Sequence, residues 1–313
     1  MLRATVILCT YNPKKEILAR TLEGLKRQSL TTDRWELILV DNNSSNLFRK
    51  DLDLSWHTNS KIIIEKKQGL THARIAGIKN ATSEIYIFVD DDNVLDSYYL
   101  TNAIKIGDTH QFLGAWGGKS VGDFEIEPPK WFTQKHYEML AIRDVKRDIW
   151  SNKYFDNSTN PIGAGLVIRS DVGKTYIVAQ ENGNNQPILD RNGNSLLSGG
   201  DNDIVFTAIN LGYGSGCFKK LRLTHIIPKD RLTKPYIIKL TESIALSNVL
   251  LYHKYGLTYD LPVRPRGRIT DILYYFQRKR MNSLKRALID AEVHGILKGK
   301  TILKSFECFS IEL

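Results

Sequence analysis

Ile85-Tyr86-Ile87-Phe88-Val89 runs straight into Asp90-Asp91-Asp92-Asn93, and few folds accept such a junction. The apolar run is too short for a helix. Its β-branched and aromatic residues suit a strand buried on both faces of a parallel sheet. Open α/β sheets bind ligands at the carboxyl ends of their strands, so three carboxylates there define a candidate site. Side chains at i and i+2 leave a strand on the same side, which lets Asp90 and Asp92 face one site while Asp91 points away. Such oxygens suit Mg²⁺ or Mn²⁺, ions held by one or two carboxylates with substrate phosphate and water completing the shell. Acids are also common in solvated turns, so the flanking sequence has to decide.

Upstream, apolar and polar stretches alternate in a strand and helix rhythm. Thr5 to Cys9 reads as a buried strand. Thr10-Tyr11-Asn12-Pro13 ends it, with Asn12 suited to N-cap the next helix and Pro13 to its first position. Ile17, Leu18, Thr21, Leu22 and Leu25 recur at helical spacing. Leu37 to Val40 is a second strand, closed by Asp41-Asn42-Asn43, and Lys61 to Glu65 a third. Gly69 to Ala81 reads as a helix whose small residues permit close packing on a sheet. The alternation predicts an α/β fold, a mostly parallel sheet flanked by helices. The polar residues at the strand ends would converge on one edge. Neither a Gly-x-Gly-x-x-Gly nor a Gly-Lys-Ser/Thr loop is present, which argues against a dinucleotide fold or a P-loop.

Together these stretches resemble the donor half of a GT-A (Rossmann-like) glycosyltransferase of the inverting family 2. The matching segments are Val6 to Asn12, Glu36 to Ser44 and Gly69 to Asn93. The resemblance implies a nucleotide-sugar donor, with a UDP-sugar expected, and contacts to it from Thr10, Tyr11, Asn12, Asp41, Arg74, Asp90 and Asp91. Arg74 stands in Ala73-Arg74-Ile75, where the family has Ala-Arg-Asn. Mn²⁺ or Mg²⁺ would sit on Asp90 and Asp92 of the Asp-x-Asp motif.

Beyond Asp92 the parallel pattern weakens. Ala115 to Lys119 and Phe124 to Phe132, rich in Gly, Pro and aromatics, read as loop and edge strand. Trp116, Trp131 and Phe132 are either packing residues or platforms for a sugar ring. Gly163 to Arg169 resembles the small-residue strand under the family's acceptor site. Asp190, Asn192, Asn194 and Asp201 fall in an EF-hand register, but Ser195 replaces the obligatory glycine, so calcium is rejected. Ser198-Gly199-Gly200-Asp201-Asn202-Asp203-Ile204 precedes a helical pattern, so Asp201 lies at a helix start, where Asp is a favoured cap and stays ionised. The stretch resembles the family's Glu-Asp-x-Glu/Asp-Leu motif, with Gly200 in place of the first Glu; the match makes Asp201 the general base. His225, in Leu223 to Pro228, is either a core histidine or, as in many GT-A enzymes, a further metal ligand.

Three widely spaced cysteines, Cys9, Cys217 and Cys308, argue against a disulfide framework or a structural zinc site. The formal charge is +10, and from Arg264 to Lys304 there are eleven Lys and Arg against three acids, so the excess lies in the tail. Helices are expected over Pro235 to Tyr255 and Thr270 to Leu297, joined by a Pro262 to Arg268 linker. Their basic amphipathic surface is either solvated helix or a seat for an anionic membrane carrying a lipid-linked acceptor.

The expected domains are 1–228 catalytic, with 1–93 binding nucleotide and 94–228 the acceptor, and 229–313 a helical basic region. The short amino-terminal apolar run and the lack of an apolar stretch of ~18 residues lead to an expected cytoplasmic location, peripheral at the inner face of the membrane. The function expected is transfer of a sugar to a saccharide or lipid-linked acceptor hydroxyl, in bacterial-type polysaccharide or glycolipid synthesis, without nucleic acid as a partner. A nucleotidyltransferase, or a non-catalytic module binding anionic polymer or membrane, stands as the alternative.

Overall fold

The computed structural model describes residues 1–182, 189, 191, 196–257, 259 and 278–309. The chain forms two compact units: Met1–Ile188 with Gly200–Lys229, and Leu189–Gly199 with Asp230–Leu313.

The first unit is built on β1 (Ala4–Thr10), β2 (Trp35–Asp41), β3 (Ser60–Ile64) and β4 (Ile85–Asp90), all parallel. Every residue of β1 and β2 is buried, as the unbroken apolar runs require. β3 lies at the sheet edge and leaves Ile62 and Ile64 exposed. Three helices follow on: α1 (Lys15–Lys26), α2 (Leu70–Asn80) and α3 (Tyr99–Thr109). α1 buries Leu18, Thr21 and Leu25. Gly77 of α2 lets the helix sit directly on Ile7 of β1, where a Cβ would come within 2.3 Å of the Ile7 side chain. Asn12 is not the cap of α1. Lys14 holds that position, while Asn12 takes a positive φ of 47° and turns its side chain to the next loop.

The remaining strands add short antiparallel ladders to the parallel sheet. They are β5 (Asn93–Leu95), β6 (Leu113–Phe124), β7 (Ile149–Ser151), β8 (Val167–Arg169) and β9 (Gly214–Ile227). Among the described residues the sheet has nine strands in the order β3-β2-β1-β4-β8-β6-β9-β5, with β7 on β9. β8 runs antiparallel to both β4 and β6. The stretch Ala115 to Lys119, read as loop and edge strand, is interior strand. Its glycines are there for space: a Cβ on Gly118 would meet the Leu221 carbonyl at 2.0 Å, where the register between β6 and β9 shifts. Trp116 is wholly buried, and its indole N–H donates to the Ala103 carbonyl at 3.2 Å, so it serves packing. α4 (Gln134–Met139), α5 (Ser170–Asn182) and α6 (Gly200–Asn210) complete the unit.

In the second unit α7 (Lys234–Lys254) packs on α8 (Ser283–Phe309). Thr233 caps α7, and Pro235 lies in its first turn. Gly295 and Gly299 bring the helices together, since a Cβ on Gly295 would meet the Glu242 carbonyl at 2.2 Å. Glu242 faces His294 and Lys298 at 3.4 and 3.6 Å. Arg278 pairs with Asp290 at 2.5 Å, so part of the basic surface is neutralised within the unit. The Pro262 to Arg268 linker, Leu273, Tyr274, Phe276, and Asp190, Asn192 and Asn194 of the rejected calcium register all lie outside the described residues. No helix among the described residues is long and apolar enough to cross a membrane.

His57 is packed between Trp35 and Trp56, with ring centroids 4.1 and 5.3 Å away. Among the described residues neither of its ring nitrogens has a hydrogen-bond partner, and burial pulls the imidazole below its ordinary pKa of 6.5. The unfolded chain therefore binds this proton more readily than the folded one, and the stability linked to His57 is lost as pH falls below about 6.5. Urea unfolding between pH 7.5 and 5 should show a steeper loss of stability for wild type than for His57→Phe. Equal slopes would rule His57 out as a source of the acid sensitivity.

Candidate functional site

The chain leaves β1 outward to β2 and β3, then crosses back to β4 on the other side of β1. Ligands bind at such a reversal, outside the carboxyl ends of the strands. Thr10 is level with Asp41, and Cys9 with Asp90, so the polar ends of β1, β2 and β4 share one rim.

On the β1–β2 side the side chains knit the rim together. The Asn12 carbonyl oxygen accepts the backbone N–H groups of Ser45 and Asn46 at 2.9 and 3.2 Å. Asp41 is fully buried. One of its oxygens accepts the Ser44 N–H at 2.9 Å, and the other faces the Arg49 guanidinium. Asn42 accepts the Gly69 N–H at 2.7 Å and donates to the Glu65 and Lys67 carbonyls, which ties the loop before α2 to the end of β2. Tyr11 remains 46% exposed, with its ring available on the rim. Asn42 is one of the polar strand-end residues expected on this rim, whereas nothing local in the sequence marks Arg49.

At the end of β4 the alternation expected of a strand breaks, because the chain turns at Asp91 and Asp92 before entering β5. Asp91 accepts the Thr10 hydroxyl through its carboxylate and the Thr21 hydroxyl through its carbonyl, the latter at 2.9 Å. Asp92 turns toward β9. Its Oδ1 accepts the Asn93 side-chain amide at 2.9 Å, and its Oδ2 lies 3.4 Å from Nε2 of His225. The latter contact follows from register, since β5 pairs with β9 at Asn93↔His225. Asp92 and His225 are both buried. Among the described residues no three His, Cys, Asp or Glu side chains gather to hold a metal. The two that meet still suit Mn²⁺ or Mg²⁺, because octahedral bonds near 2.1 Å put neighbouring ligands about 3 Å apart and phosphate and water fill the remaining positions.

A second centre lies beside the same strand end. The Phe88 N–H donates to the Leu166 carbonyl at 2.8 Å, which sets the Gly163 to Gly165 loop alongside the carboxyl end of β4. The Gly163 N–H donates to Oδ2 of Asp201, in the first turn of α6, at 2.8 Å. Arg74, buried on α2, lays its guanidinium 5.6 Å from the Phe88 ring centre and reaches the same glycine. Asp203, two residues on, is buried and accepts the Gln180 amide at 2.7 Å.

A central sheet of this order flanked by helices is the GT-A class of fold. Solved structures agree. The mannosyltransferase PcManGT from Pyrobaculum calidifontis, in complex with GDP-Man and Mn²⁺, superposes with a TM-score of 0.58 at 14% identity, covering 95% of this chain and 86% of that one. TarS residues 1–349 from S. aureus, in complex with UDP-GlcNAc, gives 0.51 at 14% identity, covering 98% and 92%. The glycosyl transferase family 2 model matches residues 5–173, more than half of the chain, and the chain belongs to that family of glycosyltransferase enzymes. Among curated proteins, the uncharacterized glycosyltransferase YfnE of Bacillus subtilis (strain 168) is 26% identical over 193 residues, 55% of this chain and 48% of YfnE. The matched region thus spans about half the length of that relative.

Asn93 was quoted in the sequence only as the end of the acidic run, yet it holds the turn. It is fully buried, its amide donates to Asp92, and its carbonyl oxygen accepts the Asp90 N–H at 3.4 Å. Asn93→Ala should cost about 1–3 kcal/mol of stability by chemical denaturation. It should also weaken Mn²⁺-dependent nucleotide binding by about tenfold or more. Unchanged metal dependence in calorimetric titration would show that Asn93 does not orient Asp92.

Proposed function

We propose that the chain transfers a sugar from a nucleotide-sugar donor, a UDP-sugar in the first instance, to a hydroxyl of a saccharide or lipid-linked saccharide acceptor. The proposed reaction inverts the anomeric carbon and serves bacterial-type polysaccharide or glycolipid synthesis. One juxtaposition carries this reading. The Asp92–His225 pair and the Asp201 carboxylate, with Arg74 beside it, lie along the end of the same central strand. Family membership supports the reaction class. The nucleotide sugars and Mn²⁺ of the two solved neighbours support the donor and metal type.

In this reading residues 1–93 bind the donor and 94–228 the acceptor, while the basic region 229–313 faces an anionic membrane. Tyr11 packs on the base, and Thr10, Asn12, Asp41, Asp90 and Asp91 shape the rim around the nucleoside. Asp92 and His225 hold the Mn²⁺ or Mg²⁺ ion, which when bound supplies the positive charge that a departing diphosphate needs. Arg74 adds a fixed cation near the reacting centre. Asp201 accepts the proton of the acceptor hydroxyl. As the hydroxyl oxygen bonds to the anomeric carbon from the opposite side, the sugar–phosphate bond breaks and the nucleoside diphosphate leaves with the bonding electrons.

Calorimetric binding of UDP, GDP and dTDP, each with and without Mn²⁺, tests the donor site. One nucleotide should bind wild type in a Mn²⁺-dependent manner, and Asp92→Ala should weaken it by about tenfold or more. Asp201→Asn should retain that binding while transfer falls by about 10²–10⁴-fold. No binding of any nucleotide in the presence of Mn²⁺ would sink the reading.

A further inference from the structure

We propose that Gly163 is a positioning residue for Asp201, an inference that rests on Asp201 being the base. Three features of the site bear on it, the first being orientation. A carboxylate on two rotatable bonds swings unless something holds it, and the Gly163 N–H at 2.8 Å holds Oδ2 of Asp201 while the Asn202 N–H takes Oδ1 at 3.0 Å. Each oxygen has two lone pairs, so both retain a site for a hydroxyl proton.

The second feature is space. A Cβ on Gly163 would lie 3.0 Å from Nη2 of Arg74 and 3.2 Å from both Cβ and Oδ2 of Asp201. Guanidinium and carboxylate therefore approach the same point, which is free only because residue 163 has no side chain. Even one methyl group there forces one of them to give way by a few tenths of an ångström.

The third feature is conformation. Gly165 nearby takes a positive φ of 72°, which favours glycine on backbone grounds, but Gly163 is not among the positive-φ glycines. Its backbone accepts any residue, so the glycine at 163 is required by what surrounds it. Because the acceptor-side loop carries the N–H and α2 of the donor side carries Arg74, Gly163 is the point at which the base is aligned with the donor.

The test is a double-mutant cycle between Gly163→Ala and Asp201→Asn, with kcat and both KM values measured for each protein. Gly163→Ala should lower kcat about tenfold, in keeping with the steep dependence of rate on placement, and leave the donor and acceptor KM within about twofold. In the Asp201→Asn background the same change should alter kcat by less than about twofold, because the group it positions is already disabled. An undiminished loss in that background would overturn the proposal, since Gly163 would then act through Arg74 or through the fold. Wild-type kcat in Gly163→Ala would overturn it as well. Wild-type kcat in Asp201→Asn alone would instead reject Asp201 as base, and the inference with it. Asp201→Glu leaves Gly163 intact and covers the case in which Gly163→Ala fails to fold. Carrying the carboxylate one methylene past the N–H should lower kcat by at least the same factor with KM unchanged, and wild-type kcat there would refute the positioning role.

Discussion

The ladder between β1 and β4 is the contact on which the first unit depends. Both strands are buried on both faces, so neither can leave the sheet without exposing an apolar run to water, and their paired residues end together at Cys9 and Asp90. Because the chain reverses its direction of travel across the sheet between them, the polar residues after both strands open onto one crevice. Everything at the rim is positioned by that common end point. α2 can present Arg74 to the crevice only because Gly77 lets the helix lie against Ile7 of β1.

The site also has to bury polar groups, which is costly unless each finds a partner. The molecule meets this by using main-chain amides and short amide side chains as clamps. Asn42 holds Gly69, Asn93 holds Asp92, and Gly163 holds Asp201. In the last two pairs an amide donates to a carboxylate of the site, and in the first the Gly69 N–H donates to the Asn42 side chain. The antiparallel pairing of β5 with β9 sets His225 opposite Asn93 and so within reach of Asp92.

Much of this was legible from residues alone, and the failures share a cause. The four parallel strands and α1 and α2 lie where apolar runs and helical spacing put them, because doubly buried strands leave an unmistakable signal. Asn12-Pro13 looked like a helix cap, but Asn12 is better used in bridging to Ser45 and Asn46, a pairing between segments about thirty residues apart that no local pattern encodes. The run Ala115 to Lys119 looked like loop and edge strand. Gly118 reflects the close approach of β9, which pairs with it from some hundred residues away, and Gly117 that of Pro161. The i, i+2 reading of Asp90 and Asp92 assumed that the strand continued, whereas the chain turns at Asp91 and Asp92.

The sequence by itself determined the fold class, the strand whose end carries the acids, and the helix whose first turn carries Asp201, because hydrophobic periodicity and turn chemistry are local. Only the tertiary structure decided which acid meets His225, that Trp116 belongs to the core, that Asp41 is buried against Arg49, and that Arg74 and Asp201 share the space left by Gly163. Those outcomes depend on strand register and on the closeness of packed backbones. Both are properties of residues far apart in the chain, and a local pattern does not contain them.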